Sequence, residues 1–377
     1  MGAATSYNFK IGYCIVVLIF SVAGFGSALG QTISSTTPTT AANGTSLTIN
    51  GNGFGTKASP APRVFDDFEN GANGSVVSTA AGWDAVFSVV ADERPQYDSS
   101  KSHSGANSSK HSFEDGWNSS FEVFDDFETI YIDGWVNYGQ PAGPFYTRVV
   151  KLFIVGKSSF GTYPETHFGS SSWPGEQNSV FHLDGYRHPS GATTSPDLYP
   201  FSMNSIISGF HHLQVEMKMS DEGVANGYSR IWLDGVLKGE ASTINHRTTG
   251  DSPWNKLALG YYMAGNSGGD DPALDGPIPD AWMWWDDLYI DTTFARVELG
   301  NAPVYENCTY RETQIATGWS SDQISIDFRQ GNFQPGDDAW LFVVDGAGAM
   351  SAGRQITISG DVVEQGPGQP GQPALIN

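Results

Sequence analysis

Adjacent carboxylates recur along this chain: Asp66-Asp67 with Glu69, Asp125-Asp126 with Glu128, Asp270-Asp271, Asp286-Asp287 and Asp337-Asp338. Calcium takes about six to eight oxygen ligands, and in β proteins these often come from strands distant in sequence. One pair sits in AWMWWDDLYIDTT, 281–293, where three tryptophans run straight into two aspartates. A period of two puts Trp282, Trp284, Asp286, Leu288 and Ile290 on one face, and Met283, Trp285, Asp287, Tyr289 and Asp291 on the other. Neither face is wholly apolar or wholly polar. Such a strand can fill a core with rings, stack rings on sugar, or offer carboxylates to a cation. Because large rings bury large areas, core packing is the expectation for Trp282 and Trp284.

The elements that would position these groups are strands. Gly, Ser, Thr and aromatic residues are abundant over the 377 residues, which favours strand and turn over helix. Residues 1–30 read as a secretory signal: Lys10 opens it, Ile11 to Phe25 form an apolar run, and Ala28-Leu29-Gly30 supplies a small-x-small cleavage site. The run falls short of the ~20 residues of a spanning helix, so membrane contact is expected only if this segment stays uncleaved. Cys14 lies inside it and leaves Cys308 alone in the mature chain, which excludes an internal disulfide. The formal net charge of −22 argues against nucleic acid and anionic lipid as partners. It suits an extracellular protein, and it suits calcium.

Near the start, the alternating Ser46-Leu47-Thr48-Ile49 leads into the glycine-punctuated Gly51-Asn52-Gly53-Phe54-Gly55. This resembles the opening of a TIG/IPT immunoglobulin-like domain. WSSDQISIDFRQGNFQPGDDAWLFVVDGAGAMSAGRQITI, 319–358, looks like the remaining strands of one. The resemblance implies a small immunoglobulin-like β-sandwich formed by N- and C-terminal segments, 31–62 and 296–360, split by an insertion. The tail, 361–377, is rich in Pro, Gly and Gln and reads as a flexible end.

The insertion, 63–295, reads as strand and turn throughout. In GFHHLQVEMKMSDEGVANGYSRIWLDGVLKGEAS, 209–242, Leu213, Val215, Met217 and Met219 alternate with polar residues, and Asp234-Gly235 marks a hairpin turn. This pattern resembles the concanavalin A-like jelly roll of laminin-G modules, legume-type lectins and several polysaccharide-degrading families, with Phe210 at a position those families fill with Trp. The fold class expected is therefore all-β, a concanavalin A-like jelly roll plus the smaller sandwich. First and last strands tend to be neighbours in a jelly roll, so the resemblance brings Asp66, Asp67 and Glu69 toward Asp286 and Asp287, where a structural calcium would tie the domain's ends together.

The E-x-D-x-x-E motif of retaining glucanases on this fold is absent. Alginate lyases of the jelly-roll type carry an Arg-rich strand, a "Q-I-H" strand and a "Y-F-K-A-G-x-Y" strand; TRVVKL (147–152), VFHLD (180–184) and KLALGYYMAGN (256–266) are similar to them in order. Val180 and Phe181 replace "Q-I", the second Arg is missing, and the last strand lacks "F-K". β-Elimination needs a group to neutralise the uronate carboxylate, a base for the C5 proton and an acid for the leaving oxygen. The resemblance gives these roles to Arg148, His182 and Tyr262, with Tyr261 as the alternative acid. Lys151, Trp173, Tyr186, Arg187 and Tyr261 would line a glycan groove. The expectation is a secreted, matrix-associated module that engages extracellular polysaccharide, with polysaccharide lyase and purely structural adhesion protein as the alternatives.

Overall fold

The computed structural model describes residues 30–88, 94–112, 119–139, 149–157, 166–171, 180–183, 198–207, 209–247, 250–264 and 282–360. Their secondary structure is β throughout, apart from short 3-10 turns. The chain opens with β1 (Thr32–Thr37), β2 (Thr40–Ala41) and β3 (Ser46–Asn52). The middle supplies β4 (Val64–Asp66), β5 (Ala85–Ser88), β6 (Gln96–Asp98), β7 (Ser108–Ser112), β8 (Ser119–Val123), β9 (Thr129–Gly139), β10 (Val149–Gly156) and β11 (Thr166–Ser171). It continues with β12 (Val180–Leu183), β13 (Leu198–Ser202), β14 (His211–Lys218), β15 (Gly227–Leu233), β16 (Val236–Ile244), β17 (Lys256–Ala264) and β18 (Trp282–Asp291). The chain returns in β19 (Arg296–Gly300), β20 (Arg311–Trp319), β21 (Gln323–Asp327), β22 (Asp338–Val344) and β23 (Arg354–Ile358).

Strands from the two chain ends share one sheet, in the order β1-β3-β21-β20-β19-β22-β23-β2. Ile49 of β3 lies opposite Ile324 of β21, and Leu47 opposite Ile326. All four are fully buried, so the pairing closes an apolar core that neither chain end could close alone. β20 turns the corner: residues up to Gln314 pair with β19, and from Ile315 onward with β21.

The insertion is a two-sheet sandwich. One sheet runs β13-β12-β11-β10-β17-β8-β5, the other β16-β15-β14-β9-β18-β7-β6, with β4 beside β18. Phe153, Phe168, Leu259 and Phe121 from the first meet Ile132, Val215, Met283 and Trp285 from the second in one core. Period-two strands with one apolar face produce this layering. The Asp234-Gly235 turn is as the sequence implied: both residues take positive φ, 51° and 73°, the twist that a two-residue hairpin needs.

The expectation for β18 needs correction. Met283 and Trp285, not Trp282 and Trp284, fill the sandwich core. Trp284 packs instead with the core of the chain-end module, and Trp282 lies half-buried at its margin. Beyond Trp285 the register with β9 shifts between Asp286 and Tyr289, and Asp287 takes φ 48°. This bulge inverts the face assignment, so Leu288 and Ile290 return to the same core as Trp285.

Candidate functional site

The outer face of the seven-stranded sheet is built by cross-strand register. Phe168 of β11 and Leu259 of β17 both lie opposite Phe153 of β10, and all three face the core. Register shifts between Lys151 and Phe153 on both sides of β10 let Leu152 also turn inward. Lys151 then belongs to the other face and is half-buried. Opposite Lys151 stand Gly169 on one side and Tyr262 on the other, and opposite Gly169 stands His182. Directly opposed residues share a face. Positions 182, 169, 151 and 262 therefore form one row across four strands.

At ~4.8 Å per strand, positions 182 and 151 are separated by about 10 Å. The residue between them is Gly169. A glycine within a strand often marks the close approach of a ligand or of another backbone. The interval is bounded by a lysine position flanked by a tyrosine position, and by a histidine position.

The next row runs from His167 through Ile154, Ala258 and Glu122 to Ala85. Lys256 Nζ lies 2.9 Å from Glu122 Oε1, with both side chains almost fully buried, and stands 5.1 Å from the Phe124 ring centroid.

Of the residues singled out by sequence, His182, Lys151 and Tyr262 fall in the row, and Tyr261 precedes Tyr262 in the irregular stretch of β17. Arg148, Trp173, Tyr186 and Arg187 lie outside the described residues. Sequence reading missed Gly169, Glu122 and Lys256. For Gly169 a signal was present, since THFGSS reads as a strand with a glycine inside it.

The five acids assigned to calcium are distributed differently from the expectation. β4 does lie beside β18, with Asp66 opposite Leu288. Yet Asp66 accepts hydrogen bonds from the Phe68 backbone N–H (3.0 Å) and the Trp83 indole N–H (2.9 Å), and burial raises its pKa to about 6. Glu69 accepts from the backbone N–H groups of Ala106 and Asn107, and Asp67 from that of Glu69. Asp286 accepts from the backbone of His103 at 2.6 Å and Ser104 at 3.2 Å. Asp287 pairs with His103 Nδ1 at 2.8 Å and Arg329 at 2.5 Å. No group of three or more His, Cys, Asp or Glu side chains able to hold a metal ion is found among the described residues. Protein donors thus engage both oxygens of Asp66, Asp286 and Asp287 and one oxygen each of Asp67 and Glu69.

No family model matches the chain, and no curated protein matches it. Part of it is similar to solved structures. One is an endo-β-1,4-glucuronan lyase from the fungus Trichoderma reesei, with 16% identity, 59% of this chain and 95% of that one covered, and a TM-score of 0.44. The alginate lyase Aly36B has 16% identity, coverage of 62% and 98%, and a TM-score of 0.44. An endo-1,3-β-glucanase from Streptomyces sioyaensis has 15% identity, coverage of 63% and 98%, and a TM-score of 0.35.

Proposed function

We propose that this chain acts outside the cell on a uronate-containing polysaccharide, cleaving it by β-elimination on the outer face of the seven-stranded sheet. The observation that carries this reading is the row His182–Gly169–Lys151–Tyr262. Lys151 supplies positive charge for the uronate carboxylate, which makes the C5 proton removable. A base takes that proton, the C5–H electron pair becomes the C4=C5 double bond, the C4–O bond breaks, and an acid protonates the departing oxygen. The elimination consumes no water and needs no redox partner. This reading takes His182 as base and Tyr262 as acid; by register, positions 182 and 262 lie on opposite sides of position 151, about three strand spacings, ~14 Å, apart. The leader-like N-terminal segment supports export, and the chain-end module, read as TIG-like, would present the sandwich to the matrix.

The test is incubation with a panel of uronate polysaccharides while the ultraviolet absorbance of unsaturated chain ends is followed. The expected result is a rise that His182→Ala and Tyr262→Phe each slow by about a hundredfold or more, with Lys151→Ala raising KM as well. Retention of a polysaccharide without any rise would leave a binding module, and neither retention nor rise would overturn the reading.

A further inference from the structure

A second cluster on the molecule has the chemistry of an anion receptor, and it lies on the other sheet. Trp282 and Trp284 of β18 project from the eight-stranded sheet on the face opposite Met283 and Trp285, which fill the core. Their rings lie 6.2 Å apart, tilted by 47°. Lys101 Nζ stands 4.1 Å from the Trp284 ring centroid. Lys110 Nζ stands 4.8 Å from that of Trp282 and 5.7 Å from that of Trp284. Two ammonium groups thus share one indole.

Covering an indole with a cation is weakly favourable, and one lysine would suffice for it. The second brings like-charge repulsion into a half-buried place, where water screens it poorly. Burial pushes the pKa of Lys101 down; Asp98 pushes it up, and Lys110 pushes it down by less than Asp98 raises it. Asp98 reaches Lys110 only at 3.8 Å. Lys101 donates to the neutral amide oxygen of Asn137 at 3.2 Å and has no carboxylate within ion-pair reach among the described residues. The Trp284 indole N–H, in a side chain almost fully buried, also lacks an acceptor among the described residues. Among the described residues, two cations that share the single carboxylate of Asp98, and an indole donor without an acceptor, are thus gathered at one place on a chain whose formal net charge is −22.

We propose that Lys101, Lys110, Asn137 and Trp282 form a second binding site, for a carboxylate-bearing unit of an acidic saccharide. Its carboxylate is held between the two ammonium groups. The partly exposed Trp282 ring meets the apolar face of the sugar, which distinguishes this ligand from a simple inorganic anion. The inference takes its ligand class from the proposed function but uses none of the residues of that site.

The test uses the full chain carrying Lys151→Ala and Tyr262→Phe, which silences the first site. The probes are an oligouronate of about four units and a neutral oligosaccharide of the same linkage and length, titrated by calorimetry and tryptophan fluorescence. The expected result is that the oligouronate binds, more weakly as salt rises, and that the neutral chain does not. Adding Lys101→Met and Lys110→Met, which keeps an apolar stem over each indole, weakens binding at least tenfold. Asp98→Asn, which removes the competing carboxylate, tightens it several-fold and gives a reading even where the methionine variant folds poorly. Equal binding of the neutral chain, no binding of either, or affinity indifferent to both the methionine and the Asp98→Asn substitutions would overturn the proposal. Absence of elimination by the unmodified chain would sink the lyase reading and leave this one standing.

Discussion

His246 shows how one buried side chain sets an acid limit. It is 2% exposed, accepts a hydrogen bond at Nδ1 from the Ser220 backbone N–H at 3.2 Å, and meets Trp254 edge-on at 5.1 Å. Burial pushes its pKa down to about 3 from an ordinary 6.5, so the folded chain keeps it neutral where the unfolded chain takes up a proton. Its contribution to stability is complete above pH 6.5 and is lost as pH falls toward 3, by up to ~1.4 kcal/mol per unit. Asp66, raised to about 6, and Glu312, raised to about 7, act in the opposite sense, because their contribution is lost as pH rises. A comparison with His246→Asn, which retains an acceptor for Ser220, therefore isolates the histidine. The variant is expected to lose less stability than the parent between about pH 6.5 and 4 in urea unfolding; parallel pH profiles would rule out His246 as the acid-sensitive group.

At the scale of the strand, register decides what the sheet can hold, and Gly169 is where this can be tested. Gly169→Leu adds a side chain at the position between 182 and 151. The expected outcome is an unchanged or slightly raised Tm, since glycine weakens a strand interior by about 0.5–1 kcal/mol. Polysaccharide retention should drop at least tenfold, because the sugar's place is taken; full retention would show that the row is not the binding surface. Period two and the Asp234-Gly235 turn made most of these strands legible in sequence, and Ile324 and Ile326 announced the strand that pairs with Leu47 and Ile49. Bulges were not legible. The extra residues at Leu152 and beyond Asp286 leave composition untouched while inverting which residues face the core, so Leu288 and Ile290 share the core with Trp285 rather than a face with Trp284. The pairing of Lys151 with Tyr262 is likewise a product of irregular register that no local pattern announces.

For the whole molecule, the informative feature is the seam between the sandwich and the chain-end module. Tyr131 and Asp133 of β9, His212, Gln214 and Glu216 of β14, Arg296 and Glu298 of β19, and Arg311 and Thr313 of β20 are all buried. In sequence the sets on β9, β14 and β19 alternate with apolar residues and read as a sheet face turned to water, while β20 opens on four polar residues, Arg311 to Gln314. The same pattern serves a sheet face turned to another polar sheet, which is why the seam was invisible until the strands were in place. Its groups are closely paired: Arg296 reaches Glu298 at 2.5 Å and Glu216 at 2.9 Å, Asp133 reaches His212 at 2.8 Å, and Thr313 donates to Asp133 at 2.7 Å. Trp135 lies stacked between His212 and His103, with centroids at 4.8 and 3.6 Å. A buried network of this kind gains little over an apolar one, but losing one partner strands the rest without compensation. Arg296→Met leaves Glu298 and Glu216 without their closest cation and is expected to cost about 3–5 kcal/mol. Adding Glu298→Gln, which removes one stranded charge, should recover part of that loss. Since the seam spans both modules, tryptophan fluorescence and far-ultraviolet dichroism are expected to report one shared melting transition in the parent chain, shifted down as a unit in Arg296→Met. Two separated transitions in the parent, or an unshifted one in the variant, would mean that the modules stand independently and that the seam is a contact rather than a coupling.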